Sequence, residues 1–172
     1  VLRPVGPGQA HRLPRGLLEA AVALHTVALV IRWATLGHGP FTTLHEILSS
    51  SLWSLSLVYA AACLATRELR QTFAVAAPVL LLLAAWLLVA NPGPGHLPPT
   101  YDTPLLYLHA VVGKAYLGLL LAAVALGLMP WLRRGRLPLA DELRYDRLAH
   151  RFAAVAFIAQ TLMLIVGAVW AQ

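Results

Sequence analysis

The residue with the clearest chemical potential in this sequence is His109, followed by Gly113 at i+4 and Tyr116 at i+7. On a helix these three share one face. Imidazole is the usual axial ligand of non-covalent b-type haem and also binds metals. Glycine one turn away would let a flat cofactor or another helix come close. Tyr116 could hydrogen-bond to such a group or pack. From spacing alone, a histidine bonded to a neighbouring helix fits equally well. His45 lies at the start of a second polar constellation with Thr42, Glu46, Ser49, Ser50 and Trp53. Thr43 followed by Glu46 has the spacing of a capping box, which does not prevent His45 from being a ligand. The candidate cofactor-binding set is therefore His109, His45 and Tyr116, with His109 as the better candidate for a metal such as haem iron.

His38, His96 and His150 are read as solvated or bonded to helix ends. His25 falls within an apolar run and His11 near the start. Arg32 and Lys114 are cations inside apolar runs. Arg32 could snorkel outward or pair with Glu46, and Lys114 could meet a haem propionate or an anionic lipid. Glu19 is expected at the membrane interface. A single cysteine, Cys63, excludes an internal disulfide, and without C-x-x-C-H there is no covalent haem attachment of the usual kind. Cys63 is read as a small packing residue. The motifs of metalloproteases, serine hydrolases and phosphate-binding loops are absent from the sequence.

The elements that must position these residues follow from composition. Of 172 residues, 59% are hydrophobic and 12% charged, against about a quarter charged in soluble domains. Mean hydropathy is +0.72. A soluble domain of this size has too much surface to hide so much apolar material, whereas a bilayer accepts it. Spanning needs about 20 apolar residues. Five runs qualify, at 17–36, 44–66, 73–90, 105–128 and 148–170. The expectation is an all-α, polytopic bundle of five transmembrane helices forming a single transmembrane domain over 1–172.

The formal charge of +6 has a topological reading. Apart from Arg32 and Lys114, all 13 Lys and Arg lie before the first run, between the second and third, or between the fourth and the start of the fifth. The loops 37–43 and 91–104 hold none and are rich in Gly and Pro. The positive-inside rule then puts the N-terminus in the cytoplasm and the C-terminus outside. His38, His45, His96 and His109 fall at the outer face. Nucleic acid is not an expected partner, because the cations sit where topology puts them; membrane lipids are.

Three segments resemble one family. Gly37-His38-Gly39-Pro40-Phe41 with Leu44-His45-Glu46 resembles the G-H-x-P-x-x-N-x-Y-E segment of CcsA/ResC-type cytochrome c assembly proteins. Leu105-Leu106-Tyr107-Leu108-His109 with Tyr116 resembles that family's W-L-x-x-H…Y helix start. Asp146-Arg147-Leu148-Ala149-His150-Arg151, ending in Gly167-Ala168-Val169-Trp170-Ala171, resembles its D-R-L-x-Y-R…G-A-V-W-A helix. The matches come in family order and span most of the sequence. The resemblance implies a haem-handling protein of a bacterial inner (cytoplasmic) membrane that presents haem to apocytochrome c, with His109 as an outer-face ligand. His45 stands where that family has tyrosine, so its ligand role rests on the residue itself. The family's tryptophan-rich haem motif would follow Ala171, where the sequence given ends at Gln172. The expectation is thus the N-terminal part of such a protein or a shortened relative, with haem ligation as an enzymatic activity left unassigned.

The leading functional expectation is haem handling in cytochrome c maturation, with apocytochrome c or other assembly subunits as partners. The alternative is a non-enzymatic structural or electron-transfer subunit of a larger respiratory or photosynthetic membrane complex. A quinone-reactive, cytochrome b-like anchor ranks lower, because no histidine at the depth of His25 is evident on another run.

Overall fold

The computed structural model describes residues 12–96, 98 and 102–171. Among them every regular element is helical: α1 (Arg12–Leu36), α2 (Leu44–Ala65), one 3₁₀ turn (Glu68–Gln71), α3 (Phe73–Val89), α4 (Pro104–Leu132) and α5 (Leu139–Trp170). Four helices are long and apolar enough to cross a membrane, namely Gly16–Leu36, Leu44–Ala65, Pro104–Leu132 and Leu139–Trp170. α3 is apolar throughout but only 17 residues long, about 25 Å at the usual rise. The chain is an all-helical, multi-pass membrane protein.

Local chemistry sets the helix ends. α1 stops at Gly37, which takes φ 74° while its N–H bonds to Trp33 O at 2.9 Å, the left-handed cap that glycine adopts at little cost. Thr43 caps α2 by accepting from Glu46 N at 3.2 Å. Thr103 caps α4 by accepting from Leu106 N at 3.4 Å, with Pro104 opening the helix. Pro138 precedes α5, and Asp141 and Glu142 lie in its first turn, where negative charge suits the helix dipole. α4 and α5 therefore run well past the apolar stretches 105–128 and 148–170. Hydropathy marks the part that suits lipid; the helical ladder continues into the polar turns beyond it.

α2 is the hub. It packs against α1, α3 and α4, while α5 lies along α4. The core between α2, α3 and α4 is built from Leu55, Tyr59, Ala76, Leu121, Ala125 and Leu126. Small residues let the backbones approach, which matters where lipid removes the hydrophobic drive between helices. A Cβ on Gly118 would lie 2.5 Å from Val58 Cβ. By contrast Leu24, Val27 and Val30 of α1 and Phe157, Ile158 and Leu162 of α5 are exposed, as lipid-facing residues should be.

The arginine-rich end is closed by buried hydroxyls. Tyr59 OH lies 3.0 Å from Leu69 O and 2.8 Å from Thr72 Oγ1, and Thr72 Oγ1 lies 2.9 Å from Leu69 O. One hydroxyl can thus donate to the other while that one donates to the carbonyl of Leu69. Arg70 Nε donates to Cys63 O at 2.9 Å. This pins the connection between α2 and α3, and Cys63 is buried within the core.

The α2–α4 approach predicts the effect of one methyl group. Gly118→Ala should destabilise the bundle by about 1–3 kcal/mol, seen as a lower Tm in detergent. Adding Val58→Ala should restore part of the loss. An unchanged Tm for the single variant would show that the helices are not this close.

Candidate functional site

The Gly- and Pro-rich end gathers the ends of four helices around one buried acid. Glu46, in the first turn of α2, has a side chain 0% exposed. Arg32, near the end of α1, donates to Glu46 Oε1 at 2.9 Å through Nη2. The same Nη2 reaches Pro92 O at 3.1 Å and Gly93 O at 3.3 Å. Glu46 Oε2 accepts from Thr42 N at 3.0 Å and from Thr42 Oγ1 at 2.7 Å. The expected pairing with Arg32 is present. The capping box is shifted: Thr43 caps the helix, but Glu46 reaches back to Thr42 rather than to the cap residue.

His38 ties the two loops together. Its Nδ1 lies 2.9 Å from Gly39 O and its Nε2 3.2 Å from Gly95 O. Carbonyl oxygens only accept, so a neutral ring satisfies one of these contacts at a time. His96 is exposed beside them. His150 is exposed on α5, and His11 lies outside the described residues. His25 Nε2 lies 2.9 Å from Ser49 Oγ, and Trp53 Nε1 donates to Thr26 Oγ1 at 2.7 Å. These two contacts join α1 to α2, so the mid-depth histidine has a serine partner rather than a second histidine.

His109 faces α5. Its Nδ1 lies 3.0 Å from Met163 O. Because the carbonyl only accepts, Nδ1 carries the proton and Nε2 keeps the lone pair, the tautomer that an iron-ligating imidazole needs. No hydrogen bond engages Nε2 among the described residues. The ring depends on Gly167, where a Cβ would stand 2.8 Å from Nδ1. Gly113 serves the same seam, since a Cβ there would meet Met163 Sδ at 2.8 Å. Of the two uses expected for Gly113, the structure shows the close helix. Tyr116 is half-buried, about 10 Å further along the helix on the same face. His109 therefore fits an axial haem ligand in tautomer and anchoring.

No hydrogen bond joins His45 to His109 among the described residues. Ser50 and Ser51 of α2 meet Lys114 of α4 and Val58 meets Gly118, and His45 sits roughly 120–140° around α2 from each. Its Nδ1 is buried with no hydrogen-bond partner among the described residues. No group of three or more His, Cys, Asp or Glu residues forms a potential metal cage among the described residues.

Lys114 lies on a different face of α4. Its Nζ donates to Ser50 Oγ at 2.6 Å and to Ser51 Oγ at 3.3 Å. Ser50 in turn lies 2.7 Å from Glu46 O and 3.0 Å from Pro40 O, so its proton goes to a carbonyl. A cavity of about 280 Å³ opens beside Lys114, walled by Thr26 and Trp33 of α1, Trp53 of α2, and Tyr107 and Val111 of α4. Tyr107 stacks on Trp33 at 6.0 Å, meets Phe41 edge-on at 5.1 Å, and donates to Asp102 Oδ1 at 2.8 Å. Trp33, Phe41, Tyr107 and Ser51 were not among the sequence candidates. The available signal was the 107–111–114 spacing, which puts two groove-lining residues and Lys114 on one helical stripe.

The fold and this end together define a class, a polytopic helical membrane protein with a polar, histidine-bearing cap over an apolar bundle. Comparison with protein families matches residues 41–172 to the family described as cytochrome C assembly protein. The chain belongs to that family. The match takes in α2, α3 and the α4–α5 seam; α1 with Arg32 and the loop residues Gly37–Pro40 precede it. No curated protein and no solved structure matches the chain.

The Arg32–Glu46 pair makes a measurable claim. Arg32→Met leaves a buried carboxylate without its cation, so it should destabilise more than Arg32→Met combined with Glu46→Gln. A double-mutant cycle read by unfolding in detergent should give a coupling of about 1–3 kcal/mol. Additive losses would show that the pair is energetically idle.

Proposed function

We propose that this protein handles haem during cytochrome c maturation, holding b-type haem near the outer membrane face with His109 as an iron ligand and passing it toward apocytochrome c. Membership of the cytochrome C assembly family supports the pathway. The observation that carries the residue is the Nδ1–H donated to Met163 O, which leaves Nε2 as the metal-binding nitrogen. Bound haem would supply the iron; the chain supplies the imidazole, its fixed tautomer and the α4–α5 seam that orients it. Tyr116, on the same face, offers a hydroxyl to the deeper edge of the cofactor. His45, set around the far side of α2 with its orphaned Nδ1, is available to groups at the loops rather than to the iron held by His109.

In this reading the bundle sits in a bacterial inner membrane with five spans, α3 being the short one. The N-terminus is cytoplasmic and the C-terminus outside. The distribution of arginines supports this orientation. Partners are apocytochrome c or other assembly subunits.

Two measurements test the proposal. Protein purified from haem-replete membranes should show a b-type absorption band that His109→Ala abolishes while the thermal unfolding profile is retained. His45→Ala should keep the band. A band unchanged by His109→Ala would remove the assignment and favour a structural subunit of a larger complex. For topology, a periplasm-dependent reporter inserted after Gly95 should be active and one after Gly135 inactive; the reverse pattern would invert the orientation.

A further inference from the structure

At the arginine-rich end, opposite His38, His45 and His109, a cleft of about 620 Å³ opens between the start of the α2–α3 connection and the first turns of α5. Arg67 stands on one side, and Arg144, Arg147 and Arg151 on the other. The α5 arginines recur at i, i+3 and i+7, one stripe of the helix. Glu68 is the carboxylate lining the cleft, and its Oε1 is held by Arg144 Nη2 at 2.6 Å. Arg67, Arg147 and Arg151 have no carboxylate at salt-bridge distance among the described residues. Asp141 lines an adjoining hollow that shares Arg67, Glu68 and Arg144 with the cleft, without coming within salt-bridge distance of Arg67.

Topology explains why arginines collect at this end. It does not explain why these four wall one concavity. Arg133, Arg134 and Arg136 lie at the same end and satisfy the same topological bias without lining the cleft. Arg133 instead donates to Gln71 Oε1 at 3.2 Å.

Depth identifies the occupant. α5 has 32 residues, about 48 Å of helix, against about 30 Å for the hydrocarbon core. Residues 152–170 carry no charge and suffice to fill that core. Arg151 then falls at its boundary, with Arg147 and Arg144 one and two turns further out, at the level of lipid phosphates. A guanidinium binds phosphate through paired, charge-assisted hydrogen bonds. A zwitterionic headgroup would bring its own ammonium among unpaired arginines, whereas an anionic one would not.

We propose that this cleft is a binding site for the phosphate of an anionic membrane phospholipid, held by Arg67, Arg147 and Arg151, with the Arg144–Glu68 pair as its wall. Basic pockets between helices at a membrane surface are suited to such headgroups.

The full chain would be placed in nanodiscs of phosphatidylcholine with phosphatidylglycerol, and retained lipid counted by native mass spectrometry. Arg147→Gln with Arg151→Gln should lower retained phosphatidylglycerol about tenfold or more, the loss expected for removing charge-assisted hydrogen bonds. Arg134→Gln with Arg136→Gln removes the same charge from the same end and should leave retention unchanged. Arg147→Lys with Arg151→Lys keeps charge and topology and should give an intermediate loss. Equal losses in the two glutamine pairs would reduce the effect to diffuse attraction and overturn the site, as would no loss in either. Equal retention of phosphatidylcholine, or displacement of the lipid by millimolar inorganic phosphate, would overturn the lipid as ligand.

Discussion

The carboxylate of Glu46 is the constraint on which the histidine-bearing end depends. Its side chain is fully shielded, and an ionised carboxylate shielded from water is costly unless hydrogen bonds and an opposite charge replace the lost hydration. The replacements come from separate parts of the chain: the guanidinium of Arg32 on α1 and the N–H and hydroxyl of Thr42. Arg32 Nη2 also reaches the carbonyls of Pro92 and Gly93 beyond α3, which share its second N–H. One acid thereby fixes α1, the entry to α2 and the exit from α3 together. Tyr107, stacked on Trp33 and edge-on to Phe41, brings α4 under the same cap.

Below the cap, close approach takes over from charge. Lipid offers no hydrophobic gain for pairing helices, so contact depends on small residues and on satisfied polar groups. Gly118 admits Val58, Gly113 admits Met163, and Gly167 admits the ring of His109. The last case joins packing to chemistry. A helical carbonyl already bonded in its own ladder keeps a second lone pair, and Met163 O uses it to accept from His109 Nδ1. The helix that packs on α4 thus also decides which imidazole nitrogen stays free.

Much of this was legible in residues taken one at a time. The apolar runs located the helices, Thr43 with Glu46 located the start of α2, and Arg32 was already a candidate partner for Glu46. The motif around His109 pointed to the family. What was not legible depends on rotation about helix axes and on which helices adjoin. The positions of His45 and His109 along the chain put both near the same end. Only the rotation of α2 shows that His45 lies roughly 120–140° around the helix from Ser50, Ser51 and Val58, which contact α4. Likewise the limits of α4 and α5 exceed their apolar runs, because hydrogen-bonded helix continues where lipid stops, and polar turns carry no hydropathy signal.

The two faces of α4 show how one helix keeps two environments apart. His109 and Gly113 look to α5, while Tyr107, Val111 and Lys114 look to the groove shared with α1 and α2. Lys114 carries a formal cation into that groove with serine hydroxyls as its partners. Neutral oxygens solvate an ammonium less well than a carboxylate would, yet they add no opposing charge to be buried. The acceptor most used, Ser50 Oγ, also sits within reach of the carbonyls of Glu46 and Pro40. Any change in what Lys114 donates to is therefore felt at the first turn of α2 and at the Gly37–Phe41 loop, the parts of the chain that Glu46 and His38 hold in place. The groove and the cap are consequently one polar network, whereas among the described residues no side-chain hydrogen bond joins the His109 seam to it.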